Sequence, residues 1–176
     1  DPVIGKALLS MGRFMPKEDL SSIVRWIDAA SVEVRWRAAW ALFRPRDPAA
    51  VPHLLKMADD RAPEVRFWAV RGLAPNLVDQ AGLSRAGISA RLRTAVRDSD
   101  RRVRTEALRA LLRYDDDGAF EELLKALASN DTWISTSAAE AAAGFSTRAA
   151  QLTPALVPAS TPNKSAWLRH LVLAPL

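Results

Sequence analysis

Small and apolar residues recur along the chain with the spacing of a single helix face. The clearest stripe, on a helix with 3.6 residues per turn, consists of Val34, Ala38, Ala41 and Leu42. The same spacing returns in four further copies: Val3, Ala7 and Met11 followed by Gly12; Val65, Ala69, Gly72 and Leu73; Val103, Ala107, Ala110 and Leu111; and Ile134, Ala138, Ala141 and Ala142. Successive copies begin 31, 31, 38 and 31 residues apart. A period near 31 residues predicts an array of helical repeats.

A second apolar segment with helical periodicity precedes most of the copies. These segments cover residues 17–29, 51–58, 88–97 and 118–128. Ser31, Asp100 and Asp131 stand where an N-cap is expected before the following stripe, and Pro63 occupies a first helical position. Each repeat is therefore predicted to be an antiparallel pair of helices. The connection within the longest interval, residues 74–87, is expected to be irregular and mobile because it exceeds the usual length.

Two copies carry a longer motif, an aspartate in the turn followed by Val-Arg-x-x-Ala-x-x-Ala-Leu. Asp60 precedes this pattern at residues 65–73, with glycine for the second alanine, and Asp98 precedes it at residues 103–111. On these residues the sequence resembles the HEAT-repeat family, and especially its bacterial branch named after phycobilisome lyases. The fourth copy departs from the motif at Ser135, which replaces the arginine.

The resemblance implies an all-α fold, a right-handed α-α superhelix of about five helix pairs. It extends over residues 1–176 as a single array, with stripes that begin near Val3, Val34, Val65, Val103 and Ile134 and one more expected at Leu168. Both ends lack the polar outer face of a terminal repeat, so the chain is expected to be a segment of a longer protein.

The resemblance also implies a ladder of charged side chains between repeats. In the family, an aspartate of the turn and the arginine of the motif join neighbouring repeats through charge-assisted hydrogen bonds. The residues at these positions are Asp28, Arg35, Asp60, Arg66, Asp98 and Arg104.

The second helix of each pair lines the concave surface in the family, and one of its stripes is rich in aromatic residues and arginine. We expect these side chains to bind a partner: Trp36, Arg37, Trp40, Arg44, Phe67, Trp68, Arg71, Arg109, Arg113 and Trp133. The acidic residues expected on the same exposed stripe are Glu33, Glu64 and Glu106. Tryptophan and arginine are enriched at binding hot spots. The alternative is that the aromatic rings only pack on one another and fill a shallow inner curve.

Composition limits the kinds of site and partner that the chain can have. The chain has no cysteine, which excludes a disulfide framework and a thiolate metal site. His53 and His170 are far apart and have no neighbouring ligand pattern, so no metal or cofactor is expected. The net charge of +5 permits an acidic or nucleic-acid partner without requiring one. No window approaches the roughly 18 apolar residues of a membrane span, no signal peptide is visible, and the sequence specifies no compartment.

No catalytic motif stands out, so the sequence predicts a non-catalytic scaffold that binds a protein or peptide on its concave face. One alternative is a nucleic-acid-backbone binder of the kind seen in HEAT-like DNA glycosylases, and it would use Arg37, Arg44, Arg71, Arg109 and Arg113. A second is an accessory array of a larger enzyme such as a peptidyl-prolyl isomerase, and a third is an enzyme like the lyases of the family that attach bilin pigments. These enzyme readings depend on fold analogy alone.

Overall fold

The computed structural model describes residues 2–14, 20–114, 117–130 and 132–143. These residues form helices joined by turns, and they contain no β-strand. The predicted all-α fold is thereby confirmed. The expected stripe at Leu168 lies outside the described residues.

The described helices follow one another with short connections. They are α1 (Pro2–Phe14), α2 (Ser21–Val24), α3 (Val32–Phe43), α4 (Val51–Met57), α5 (Pro63–Arg71), α6 (Pro75–Gln80), α7 (Arg85–Ala95), α8 (Arg101–Arg113), α9 (Asp117–Leu127) and α10 (Thr132–Ala143). A 3₁₀ turn, Pro48–Ala50, leads into α4.

The chain divides into two compact units, Asp1–Ala110 and Leu111–Leu176. In the first unit α3 packs beside both α1 and α5, α2 packs on α3, and α4 packs on α5. In the second unit α9 packs against α10. These contacts give the predicted pairs α2–α3, α4–α5 and α9–α10. We refer to α1, α3, α5, α8 and α10, the helices that carry the repeated stripe, as the second helices. The single array over residues 1–176 stays a prediction.

Asp100, a predicted N-cap, and Ser84, which the repeat pattern does not predict, both cap helices, whereas the predicted cap Asp131 lies outside the described residues. The Asp100 carboxylate accepts a hydrogen bond of 2.8 Å from the Arg102 amide at the start of α8, and Ser84 Oγ accepts one of 3.4 Å from the Gly87 amide in α7. Ser31 occupies the N-cap position of α3, but its side chain makes no capping bond there. Prolines occupy the first positions of α5 and α6, where a missing amide hydrogen costs nothing.

The predicted stripes form the core of three copies. Each of the following side chains is at most 3% exposed: Val34, Ala38, Ala41, Leu42, Val65, Ala69, Leu73, Val103, Ala107, Ala110 and Leu111. Alanine or glycine fills the two middle positions of each stripe, because small residues allow second helices to approach one another closely.

The predicted stripe of the first copy is wrong by one residue. Val3 is 73% exposed, whereas Leu8 is 1% exposed and Gly12 is buried. The repeat spacing is satisfied instead by Ile4, Leu8, Met11 and Gly12. The shift occurs because glycine, with no side chain, marks the closest approach between helices, and Gly12 lies directly against α3.

The fourth copy needs a similar correction. Ile134 is 37% exposed, whereas Ser135 is 0% exposed. Ala138, Ala141 and Ala142 are buried as predicted, and Ala139 is buried as well, so only the first position of the predicted stripe is wrong. A face of serine and alanine suits the close packing of α10 on α9.

Residues 74–87 form a more ordered segment than the sequence suggests. They contain α6 and the beginning of α7, and Leu77 and Val78 of α6 are 6% and 0% exposed. Gly82, with φ of 68°, turns the chain between the two helices. The expectation of an irregular connection is therefore wrong, because two apolar residues give this segment a buried face.

Candidate partner-binding surface

Arg35 and Arg66 join consecutive repeats of the first unit. Arg35 donates two hydrogen bonds to the Asp60 carboxylate, from Nε at 2.7 Å and from Nη2 at 2.9 Å. Arg66 donates two to Asp98 in the same way, both at 2.7 Å. The fork of the guanidinium group matches the two carboxylate oxygens, so each pair fixes orientation as well as distance.

Each of these arginines also holds the turn that precedes its own helix. Nη1 of Arg35 donates to the carbonyl oxygens of Ala29 and Ala30 at 2.9 and 3.0 Å. Arg66 and Arg104 make the equivalent two bonds to the turns before α5 and α8. One side chain thus satisfies two carbonyl groups in its own repeat, and in Arg35 and Arg66 it also contacts the next repeat.

Asp28 does not meet an arginine in this arrangement. It accepts a hydrogen bond of 2.6 Å from Lys56, and both side chains are largely exposed. The residue after Ile4 in the first copy is Gly5, so that copy lacks the arginine that would complete the pair.

The ladder shifts the ionisation of its carboxylates. Burial of Asp60 favours a higher pKa, but hydrogen bonds from Arg35 and from the Ala62 amide outweigh it and hold the pKa below its usual value. The pKa of Asp98 is lowered in the same way, by Arg66 and the amide of the following turn. At the start of α8, hydrogen bonding from Arg102 lowers the pKa of Asp100 to about 2.

Aromatic side chains of α3 and α5 meet around one arginine. The Phe43 and Trp68 ring centroids are 5.8 Å apart, and those of Phe67 and Trp68 are 4.9 Å apart in an edge-to-face arrangement. The guanidinium carbon of Arg71 lies 5.6 Å from the centroids of Phe43 and Trp68, and 5.8 Å from that of Phe67. We call these four residues the Arg71 cluster.

Phe43 belongs to this cluster although the exposed stripe did not include it. It stands nine positions after Val34, and the equivalent residues Ala74 and Leu112 are buried. An apolar residue at this place in three repeats is a visible signal that the end of the second helix also faces its neighbours.

A second group of aromatic and basic residues lies on α3. The guanidinium carbon of Arg37 is 4.9 Å from the Trp36 centroid, and that of Arg44 is 5.8 Å from the Trp40 centroid. Trp36 Nε1 donates a hydrogen bond of 2.7 Å to Glu33, which also forms an ion pair of 2.5 Å with Arg37. Trp36 is thus fixed by a polar contact, and the side chains of both tryptophans remain partly exposed.

Part of this group packs against α1. A Cβ atom at Gly12 would lie 2.6 Å from Trp40 Cζ3, and one at Gly5 would overlap the Arg37 guanidinium. Arg37 Nε is buried and has no hydrogen-bond partner among the described residues. Trp40 and Arg37 therefore contribute to packing between repeats as well as to the surface.

The predicted stripe contains one residue that the structure places in the interior. Glu106 is 5% exposed and lies 3.7 Å from Arg109. It stands three positions after Val103, as Arg37 and Trp68 stand after their own stripe residues. In α3 and α5 this position turns toward the neighbouring second helix rather than toward solvent, so the expected exposure of Glu106 is wrong.

The remaining predicted surface residues differ in exposure. Half-buried side chains are those of Trp36, Arg37, Trp40, Phe67, Trp68, Arg71 and Arg109, whereas Arg44 and Arg113 are exposed. Arg113 belongs to the second unit. The side chain of Trp133 lies outside the part of the chain that is described.

Three of the four arginines within α3 and α5, namely Arg35, Arg37 and Arg66, have an acidic partner. Arg37 pairs with Glu33, and Arg102 lies 3.3 Å from Glu64 as well as 2.9 Å from Asp100. Within the described ranges, neither Arg44 nor Arg71 has a carboxylate within 4.0 Å. The positive charge that is left uncompensated on α3 and α5 is therefore concentrated at these two residues.

The described residues contain no group of three His, Asp or Glu side chains that could hold a metal ion. In the same part of the chain, no helix has the length and apolar character needed to cross a membrane.

Repeated helix pairs joined by an Arg–Asp ladder define an α-solenoid. A family profile described as HEAT repeats matches residues 1–74 and 63–144 of the sequence. The chain belongs to the HEAT-repeat family. No curated protein gives a significant match.

Solved structures with the same fold include designed repeat proteins. A designed armadillo repeat protein in complex with the peptide (KR)4 aligns with a TM-score of 0.60 at 18% identity, covering 97% of this chain and 89% of that one. A second designed armadillo repeat protein gives 0.59 at 19% identity, with coverage of 97% and 90%. An engineered protein from the Northeast Structural Genomics Consortium gives 0.55 at 20% identity, with coverage of 97% and 88%. These identities establish the solenoid fold alone.

Proposed function

We propose that the chain is a non-catalytic scaffold that binds a protein or peptide along α3 and α5, the predicted concave face. The observation that carries this proposal is the Arg71 cluster, in which Phe67, Trp68 and Arg71 are all half-buried. Rings and a guanidinium group held in place before binding lose little conformational freedom when a partner arrives. Such residues are the usual centres of binding energy.

The neighbouring Trp36–Arg37 and Trp40–Arg44 pairs extend this surface along α3. Together they form a row of aromatic and basic groups suited to an extended segment. The designed armadillo protein that holds a peptide provides a precedent for peptide binding by this fold, although its low identity carries nothing about sequence preference.

Two tryptophans test the proposal directly. Peptides selected from a random display library on the immobilised chain should bind the Trp36→Ala and Trp68→Ala variants roughly 30-fold less tightly, since a hot-spot ring contributes about 2 kcal/mol. Trp26→Ala is the matched control, because Trp26 follows α2 and lies outside the second helices. Its binding should be unchanged.

The packing alternative makes the opposite prediction. If the rings mainly fill the interior, Trp36→Ala and Trp68→Ala should lower the free energy of unfolding by about 3–5 kcal/mol. A failure to select any peptide, together with such a loss of stability, would reject the binding surface. Trp40→Ala is a poor test because Trp40 also packs on Gly12.

Two narrower assignments accompany the proposal. We propose first, from the resemblance of the motif at residues 65–73 and 103–111, that the chain belongs to the bacterial branch named after phycobilisome lyases. The scaffold would act by positioning a partner rather than by chemistry of its own, whether alone or beside a catalytic domain.

A further inference from the structure

Arg71 combines a fixed position with unused hydrogen-bond donors. Three rings surround its guanidinium group, and ring faces attract a cation without occupying its N–H groups. Within the described ranges, Arg71 donates no hydrogen bond and lies near no carboxylate. A guanidinium group carries five donors in a planar fork that fits a carboxylate with two parallel bonds. The Arg71 cluster thus holds a guanidinium group in place while its N–H donors remain available to a partner.

Arg44 adds a second cation at the same end of the neighbouring helix. Arg44 stands at the C-terminal end of α3, and Arg71 is the last residue of α5. Arg44 directly follows Phe43, and Phe43 contacts Arg71. Arg44 is exposed and lies over Trp40. The helix ends themselves favour cations rather than anions, so any affinity for an anion must come from the two guanidinium groups.

We propose that the segment bound by this surface is an acidic peptide, with one carboxylate on Arg71 and a second on Arg44. This inference depends on the proposed function and specifies its partner. An apolar residue next to the acidic one would pack on the exposed parts of Phe67 and Trp68. The preference is opposite in charge to the (KR)4 peptide of the designed armadillo protein.

The distribution of charge favours a peptide over a nucleic acid. A protein that follows a phosphate backbone neutralises several phosphates along a continuous basic groove. On α3 and α5, Arg37 is paired with Glu33, and Arg102 at the start of α8 is paired with Glu64. Two adjacent unpaired arginines match a short acidic segment rather than a long row of phosphates.

Three short peptides of equal length test the charge preference by fluorescence anisotropy. All share a central leucine, flanked by Asp and Glu, by Lys and Arg, or by Ser and Gln. The acidic peptide should bind at least roughly tenfold more tightly than either of the others, because only its carboxylates can accept charge-assisted hydrogen bonds from Arg71 and Arg44. Single-stranded oligothymidine is measured alongside as the nucleic-acid probe.

Variants locate the preference at the two arginines. Arg71→Gln and Arg44→Gln should each weaken binding of the acidic peptide by roughly tenfold, and Arg71→Lys should give an intermediate loss because lysine keeps the charge but loses the fork. Arg25→Gln is the matched control, since Arg25 also lies over a tryptophan, at 5.9 Å from the Trp26 centroid, but outside the second helices. It should leave binding unchanged, and melting curves establish that each variant is folded.

The possible results separate this inference from the proposed function. Equal or tighter binding of the basic or neutral peptide, lost in Trp68→Ala, would overturn the acidic preference and leave the binding surface standing. Tighter binding of oligothymidine than of the acidic peptide would overturn it in favour of a nucleic-acid partner. No binding by any of these probes, with peptides from the display library still captured, would overturn it as well. An empty library selection would reject both proposals.

Discussion

The two repeat boundaries of the first unit keep the same Arg–Asp bond at different chain separations. Arg35 and Asp60 are 25 positions apart, whereas Arg66 and Asp98 are 32 positions apart. Both pairs nonetheless form two hydrogen bonds between 2.7 and 2.9 Å. The seven additional residues of the second boundary therefore leave the contact between turns unchanged.

The extra residues lie instead in the segment between α5 and α8, before the next second helix. They supply α6 between α5 and α7, and a cavity of about 350 Å³ lies beside Arg66 and Asp98. The Arg66 side chain is 16% exposed, against 5% for Arg35. The comparison indicates that the register of the repeats depends on the paired turn residues, while the length of the intervening helices can vary.

Removing the arginine at either boundary should have the largest effect. Arg35→Ala leaves the partly buried carboxylate of Asp60 without its partner, and Arg66→Ala does the same to Asp98. Breaking a buried pair in this way costs about 3–5 kcal/mol. Urea unfolding of both variants should show similar losses if the two boundaries are equivalent.

Lys56→Ala provides the control for these variants. Its ion pair with Asp28 is exposed, so the loss should be at most about 1 kcal/mol. A much smaller loss for Arg66→Ala than for Arg35→Ala would show that the insertion has weakened the second boundary, which contradicts the equivalence proposed here.

A methyl group added between α1 and α3 should have a somewhat smaller effect. Gly12→Ala would place its Cβ 2.6 Å from Trp40 Cζ3 and 2.9 Å from the Ala41 Cα atom. Backbone cannot move aside as a flexible side chain can, so overpacking should destabilise the chain by about 1–3 kcal/mol in urea melts. An unchanged midpoint would mean that α1 is not held tightly against α3.

The sequence predicted the repeats well because their stripes depend on local spacing. The buried stripes from Val34, Val65 and Val103 follow directly from small and apolar residues at helical intervals. The first copy was harder because Val3 and Ile4 are both apolar, and only the packing of Gly12 on α3 selects between them. The helix within residues 74–87 is hard to predict because turn-forming residues surround the two apolar residues of α6.

The surface was less predictable than the fold. Helical periodicity placed Trp68 and Arg71 on one side of α5, but the contribution of Phe43 depends on how α3 lies beside α5. Glu106 was placed in solvent because a single helix does not show which stripe faces its neighbour. Such contacts between helices are long-range in sequence, and the trace they leave is short, such as the apolar residue nine positions after Val34, Val65 and Val103.

Acid should weaken both boundaries together, with a smaller effect than removal of a partner. The pKa values of Asp60 and Asp98 are lower in the folded chain than the unfolded value near 3.8. Their contribution to stability is therefore fully present above that value and is lost as the pH falls through the lower folded values. Asp100, with a pKa of about 2, extends the loss to that pH.

Urea midpoints measured between about pH 5 and pH 2 test this linkage. Asp60→Asn and Asp98→Asn should each reduce the dependence of stability on pH relative to the unmodified chain, and to a similar extent. A pH dependence that neither variant reduces would show that carboxylates outside the ladder control acid unfolding.

The smallest effect should come from Gly87 of α7, within the longer boundary. A Cβ there would lie 3.8 Å from Ser84 Cβ, an ordinary contact, and the capping bond from the Gly87 amide to Ser84 would remain. Gly87→Ala should therefore stabilise the chain by about 0.4–1 kcal/mol, because alanine reduces the freedom of the unfolded chain. Gly82→Ala, a few residues earlier, should instead destabilise it by about 1 kcal/mol, since Gly82 has a φ of 68°. Opposite shifts in thermal melts would establish that α6 and α7 are ordered helices joined by a defined turn. The absence of any shift in both variants would favour the irregular connection that the sequence alone suggested.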